Sequence, residues 1–234
     1  MNKEEFLIET KKLGINITEE QINLLDKFYN LLIEWNEKIN LTTITDYEEV
    51  YLKHFYDSLT LVKDVNLNED ISLCDVGSGA GFPGIVLKIC FPNLKITLVD
   101  SLQKRVNYLN EIIDELGLKE TCAIHSRMED FSRTNEEKFD LITARAVANM
   151  NVLLEISVRS LKINGNLVLM KANCEEEIKN SNKAINELSS ELISINEFYL
   201  PKEESKRTLI KIQKKDKTNS KYPRTIDKIK KKPL

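Results

Sequence analysis

No run of about 18 apolar residues occurs anywhere in the 234-residue chain, so no membrane-spanning helix is expected. Histidine is nearly missing. His54 and His125 are the only two, which excludes a histidine-rich metal centre, and no metal site is expected. No C-x-x-C pair joins the four cysteines. Cys74, Cys90, Cys122 and Cys174 are widely spaced and mostly lie in or beside apolar segments, which reads as buried, reduced thiols in a cytoplasmic protein. The amino terminus, Met1-Asn2-Lys3-Glu4-Glu5, lacks the basic-then-apolar order of a secretory signal. Internal repeats are absent. So is a large excess of one charge, the net being −3, but that average hides a cationic tail. From Lys211 onward, Lys214, Lys215, Lys217, Lys221, Arg224, Lys228, Lys230, Lys231 and Lys232 face only Asp216 and Asp227. Such a segment either binds phosphates, whatever the whole-chain charge, or stays solvated. At 41% hydrophobic and 30% charged, the composition is that of a globular protein with one large domain, or one domain and a small appendage.

Glycine is scarce as well, seven in all, yet four fall between Gly77 and Gly84. They follow Ile71, Leu73 and Val76, a short strand-forming run, and precede Ile85, Val86, Leu87 and Ile89, a helix for which Pro83 suits the first position. A strand, a glycine loop and a helix start leave backbone N–H groups free at a point a ligand can approach closely. Next comes Lys95-Ile96-Thr97-Leu98-Val99-Asp100, a buried-type strand ending in a carboxylate. An acid about 20 residues after such glycines is placed to accept both hydroxyls of a ribose. A nucleoside-bearing cofactor is therefore expected.

The remaining chain sorts into two regimes. Residues 1–70 read as helical: an amphipathic stretch from Glu5 to Leu13 stopped by Gly14, then a capping box, Thr18 with Gln21. That box opens a helix carrying Leu24, Leu25, Phe28, Leu31, Leu32 and Trp35 at helical spacing. Asp46 caps a further helix through Val50, Leu52, Phe55, Leu59 and Val62. From Ile71 strands and helices alternate, with strands at Thr121–Ile124, Phe139–Thr143 and Asn166–Met170. Helices run through Val106–Leu116, Val152–Leu161 and Glu175–Leu188. This order predicts a parallel sheet covered on both faces. Leu192–Leu200 and Thr208–Gln213 follow with no helix between them, which suggests a closing antiparallel pair.

Two cofactors fit the glycines. Gly79, Gly81 and Gly84 match the dinucleotide pattern G-x-G-x-x-G, whereas Asp75-x-Gly77-x-Gly79-x-Gly81 resembles motif I of the class I S-adenosylmethionine methyltransferases. The closing antiparallel pair favours the second, because a nicotinamide fold would be expected to begin another half at that point. Met128 and Phe82 are placed to sandwich an adenine, and Glu129 or Asp130 to accept from its amino group. After the fourth strand stands Thr143-Ala144-Arg145-Ala146. That is neither the Asn/Asp-Pro-Pro-aromatic loop of exocyclic-amine methylation nor a Pro-Cys nucleophile. An acceptor that needs no base, such as guanine N7, is compatible with this position.

Several stretches taken together resemble the RsmG (GidB) family, bacterial 16S rRNA guanine-N7 methyltransferases. They are Asn40-Leu41-Thr42, Lys53-His54-x-x-Asp57-Ser58, Asp75 to Gly84, Asp100-Ser101-x-x-Lys104-Arg105, Thr143 to Ala146, Lys221-Tyr222-Pro223-Arg224 and Lys232-Pro233-Leu234. Lys53, Met128 and Ala172 depart from residues usual in that family, which are Arg, Ala and Gly. The resemblance implies a class I Rossmann-like fold with a seven-stranded, mostly parallel sheet and an N-terminal helical cap. The expected division is 1–70 cap, 71–213 catalytic domain and 214–234 basic tail. It also implies S-adenosylmethionine as cofactor, contacted by Gly77, Phe82, Asp100, Ser101, Leu102, Met128, Glu129 and Arg145. The implied partner is 16S rRNA, in the small subunit or an assembly intermediate, and the expected state is a cytoplasmic monomer. Among the cations, His54, Lys104, Arg105, Lys171, Arg207, Lys221 and Arg224 are the expected RNA contacts. An NAD(P) oxidoreductase and a non-catalytic RNA-binding scaffold are the rival readings.

Overall fold

Side-chain caps set the first helix starts in the computed structural model, which describes residues 1–234. Asn2 accepts from the Glu5 N–H and begins α1 (Lys3–Lys12); Thr18 and Gln21 form the expected box at the head of α2 (Glu19–Ile39). The Gln21 amide also donates to the carbonyls of Ile89 and Cys90, 3.0 Å each, and so ties the N-terminal helices to the strand region. Asp46 caps α3 (Tyr47–Val50). The single helix expected beyond it changes pitch instead. It widens to a π turn over Tyr51–Tyr56, resumes as α4 (Asp57–Leu59), and tightens to a 3-10 turn over Thr60–Lys63. Five of the six π-turn residues are buried, all but Lys53, and one face of a 3.6-residue repeat cannot bury five of six consecutive side chains.

The sheet begins with β1 (Ser72–Val76), α5 (Gly84–Cys90), β2 (Lys95–Asp100), α6 (Gln103–Glu115) and β3 (Thr121–His125). Pro83 caps α5 rather than occupying its first turn. Then come α7 (Met128–Thr134), a short helix that the apolar spacing does not signal, β4 (Phe139–Arg145), α8 (Met150–Ser157) and β5 (Leu161–Lys171). The helix expected over Glu175–Leu188 is broken into α9 (Glu175–Lys179) and α10 (Asn182–Glu187). At the break the Ser181 hydroxyl donates to the Ile178 carbonyl at 2.7 Å, a local bond that competes with helix continuation. The chain closes with β6 (Ser190–Tyr199), β7 (Lys206–Lys214) and α11 (Ile226–Lys231).

Strand order is β3-β2-β1-β4-β5-β7-β6, seven strands, parallel from β3 to β5, with β7 antiparallel to both β5 and β6. The order reverses between β1 and β4. In open α/β sheets that reversal, at the strands' carboxyl ends, is where ligands sit.

Two apolar cores lie on opposite faces. One joins the N-terminal helices to α5 and α6 through Phe6, Phe28, Phe55, Phe82, Ile85 and Tyr108. The other packs α7, α8, α10 and the tail through Met128, Phe131, Met150, Leu154, Ile185, Tyr222 and Ile229. The tail is therefore not a solvated appendage. No helix is long and apolar enough to cross a membrane.

Candidate functional site

Two loops meet at the carboxyl ends of β1 and β2, and one side chain joins them. Asp100 Oδ2 accepts from the Gly79 N–H and its Oδ1 from the Leu102 N–H, both at 2.9 Å. Arg105 stands 3.6 Å from the same carboxylate. Each oxygen keeps a lone pair beyond these bonds. Gly77 turns at φ +68, and a Cβ there would stand 2.7 Å from Val147, so only glycine lets this loop pass beneath the chain after β4. Behind the loop, Asp75 is fully buried. Its Oδ2 accepts from the Gly84 N–H at 2.9 Å, its Oδ1 has no partner, and burial pushes its carboxyl up to about 7.

A cavity of about 130 Å³ opens beside this loop, lined by Val76, Gly77, Val99, Ser101, Met128, Glu129, Val147 and Ile156 among others. It has an apolar floor, a buried carboxylate at Glu129 and a glycine backbone, a set suited to a flat purine nucleoside.

The second cavity, about 330 Å³, lies beside the switch point, on the β4–β5–β7 side. Lys53, His54, Asp57 and Thr60 from the N-terminal helices face Arg145, Met170, Lys171, Arg207 and Thr208 from the ends of β4, β5 and β7. Asp57 is its hub. Its Oδ2 accepts from Arg145 Nη1 at 3.2 Å and its Oδ1 from Arg207 Nε at 3.1 Å. Arg145 is anchored further by donating to the Lys53 carbonyl at 3.1 Å. Its Nη2 lies 3.1 Å from His54 Nδ1, a nitrogen that also stands 3.2 Å from the Lys53 carbonyl. On the other side of the ring, Nε2 lies 3.0 Å from Thr42 Oγ1. Burial, and then the Arg145 charge, lower the imidazole to about 3. The ring stacks on Phe82 with centroids 4.3 Å apart, and the Arg145 guanidinium lies over the same phenyl at 5.1 Å.

The expected residues divide between these places. Gly77, Ser101, Met128 and Glu129 line the smaller cavity; Asp100 and Leu102, the chain neighbours of Ser101, are not among its lining residues and are bonded to each other. Phe82 does not face Met128: it is buried in the opposite core, among Phe28, Phe55 and His54, so the adenine sandwich is not formed. Arg145 lines the larger cavity, held by Asp57 and His54, and not the one at the glycine loop. Of the expected RNA contacts, His54, Lys171 and Arg207 line that larger cavity. Lys171 donates to the Ala148 carbonyl and to Glu177, 2.7 Å each. Lys104 is exposed on α6 and Arg105 faces Asp100.

The tail differs most from its reading. Lys214 is wholly buried, bonded to the Leu161 carbonyl and Glu137, and is no surface cation. Arg224 donates from its main chain and guanidinium to the buried Glu155, so its charge is already matched inside the protein. Lys221 is exposed but pairs with Glu187 at 2.7 Å. Thr60 and Val147 do not stand out in the sequence, and Asp57 does so only within Lys53-His54-x-x-Asp57-Ser58, with no site role of its own. For Asp57 the available signal was its spacing, three residues after His54 and four after Lys53 on one helical segment.

Comparison with known proteins agrees with this geometry. Residues 21–209 match the GidB family, described as rRNA small subunit methyltransferase G. A curated relative from Geobacillus sp. strain WCH70, named ribosomal RNA small subunit methyltransferase G, is 47% identical over 96% of this chain and 95% of its own. One of the same name from Oceanobacillus iheyensis is 46% identical over the full length of both. Among solved structures, a SAM-dependent methyltransferase from Aquifex aeolicus superposes with a TM-score of 0.52 at 21% identity, covering 72% of this chain and 94% of that one. M. jannaschii TYW2, solved in complex with AdoMet, gives 0.50 at 17% identity, covering 63% and 70%. These likenesses show a class I, Rossmann-like methyltransferase fold. With the family match spanning most of its length, the chain belongs to the rRNA small subunit methyltransferase G family.

Proposed function

We propose that this protein transfers the methyl group of S-adenosylmethionine to N7 of a guanine in the 16S rRNA of the small ribosomal subunit. Family membership supports the substrate and cofactor classes; one observation supports the acceptor atom. The cavity beside the switch point holds no group poised to take a proton at neutral pH: burial and the Arg145 charge lower His54 to about 3, and the Asp57 carboxylate is held by Arg145 and Arg207. Guanine N7 carries a free lone pair at neutral pH and asks for none.

The residues at hand fit the cofactor. Gly77, Ser101, Met128 and Glu129 would hold the adenosine, with Asp100 taking the ribose hydroxyls on its spare lone pairs and Leu102 beside it. When bound, the cofactor supplies an electrophilic sulfonium methyl. What the chain itself contributes is placement. The β1–β4 crevice sets nucleoside and acceptor on either side of the glycine loop, and alignment of that kind contributes up to about 7–11 kcal/mol. The buried pair Asp57–Arg145 fixes the end of β4, and the neutral His54 backs it without adding a second positive charge.

Residues 1–70 act as a cap, 71–213 as the transferring domain and 214–234 as a tail. Lys104, Arg105, Lys171, Arg207 and Lys221 line the RNA path, on a cytoplasmic monomer. Mass mapping of 16S rRNA from cells lacking the gene tests this. One 7-methylguanosine should vanish, return with the wild-type gene, and stay absent with Asp100→Ala. An unchanged map refutes the assignment. Calorimetry with S-adenosylhomocysteine against NADH separates the nicotinamide reading. RNA affinity without transfer of labelled methyl would instead identify a binding scaffold.

A further inference from the structure

We infer that Asp57 is the residue that recognises the acceptor base as guanine, its carboxylate accepting from N1–H and the N2 amino group inside the larger cavity. The inference rests on the proposed methyltransferase activity and names a residue for its specificity.

The cavity is roomy enough for one base, about 330 Å³, and lies over the ends of β4, β5 and β7, beside the sheet's switch point. Most of its charged lining is cationic: Lys53, Arg145, Lys171 and Arg207. Asp57 is the one carboxylate among the lining residues, and it is 5% exposed. The cations attract phosphate and can donate to a base's acceptors, but among the charged lining groups only the carboxylate can accept from a base's N–H donors. Two of its acceptor positions are taken, one by Arg145 and one by Arg207, on different oxygens. One position therefore remains on each oxygen, a matched pair. Guanine offers two adjacent donors on its Watson–Crick edge, N1–H and the N2 amine, which suit a bidentate carboxylate. Adenine presents an unprotonated N1 to the same group and is repelled.

Recognition from that edge also serves the reaction. N7 lies on the far side of the purine from N1 and N2, so a base held by Asp57 keeps its attacking lone pair clear of the group that holds it. The two arginines fix the carboxylate's orientation before RNA arrives, so little side-chain freedom is lost on binding.

The test replaces the target guanosine with inosine, which keeps N1–H, O6 and N7 but lacks the N2 amine, in 16S rRNA assembled by ligation. Labelled methyl transfer is measured for the wild type, Asp57→Asn and Arg207→Gln. One hydrogen bond to a charged acceptor corresponds to about 10–100-fold, so wild-type kcat/KM should fall by that factor on inosine. Asp57→Asn should bring the two substrates to within about 3-fold of each other, mainly by losing rate on guanosine. Arg207→Gln should lower both and keep the wild-type ratio.

If Asp57 only braces the arginines, D57N will depress both substrates equally and preserve the ratio, and the inference is overturned. Equal wild-type rates on both substrates overturn it without any variant, even if D57N fails to fold. Absence of wild-type transfer to guanosine removes the proposed function itself, a distinct result.

Discussion

Replacing Arg224 with alanine should loosen the tail from the body of the protein and lower the stability of the whole. Glu155 lies on α8 with its side chain fully buried, and Arg224 supplies three of its hydrogen bonds. The main-chain N–H at 3.0 Å survives truncation, while the Nε bond at 2.8 Å and the Nη2 bond at 2.6 Å do not. Two charge-assisted bonds are worth about 1.5–3 kcal/mol each, and a carboxylate left behind in an apolar surround adds its own desolvation cost. The expected loss is about 3–5 kcal/mol, the range for breaking one side of a buried ion pair. For a chain of this length that lowers Tm by about 6–20 °C. Thermal unfolding by circular dichroism measures it. Arg224→Lys should recover part of the loss, and a double change to Glu155→Leu with Arg224→Met most of it, because an apolar pair of similar volume removes the buried charge. A Tm within about 2 °C of wild type for Arg224→Ala would refute the reasoning. The result also bears on RNA binding: any affinity lost with Arg224 must be separated from the loosening of α11 and of Tyr222.

Gly77→Ala should weaken S-adenosylhomocysteine binding at least about tenfold by calorimetry, since the new methyl meets Val147 at 2.7 Å and φ is +68; unchanged affinity would show that this loop does not face the nucleoside. Two buried groups give opposing pH dependences that nearly cancel between about pH 3.8 and 6.5. His54 is held well below its ordinary value, so its contribution is complete above pH 6.5 and is lost as pH falls towards about 3. Asp75 is raised to about 7, so its contribution is complete below its ordinary 3.8 and is lost as pH rises through 7. An NMR titration showing His54 protonating with a midpoint near 6.5 would contradict the burial and charge argument.

The sequence by itself determined the local and periodic features. Capping residues fixed where α2 and α3 begin, because a cap needs only the next three residues. Alternation of strands and helices determined a mostly parallel sheet, and the spacing of the glycines and Asp100 brought the two loops that carry them together, since both follow from short spacings. Other features are absent from any spacing. The π turn arises from burying five of six side chains at once, and the break at Ser181 from a hydroxyl choosing Ile178 over the helix ladder. Phe82 and Met128 look like partners along the chain, yet the sheet separates them into different cores. Arg224 and Lys214 look like free cations until Glu155 and Glu137 are brought against them. The larger cavity depends most on tertiary structure: Asp57 meets Arg145 and Arg207 from 88 and 150 residues away. Charge pairing over such separations depends on how the N-terminal helices lie across the strand ends, and that is set by the packing of a whole apolar face, which no local pattern encodes.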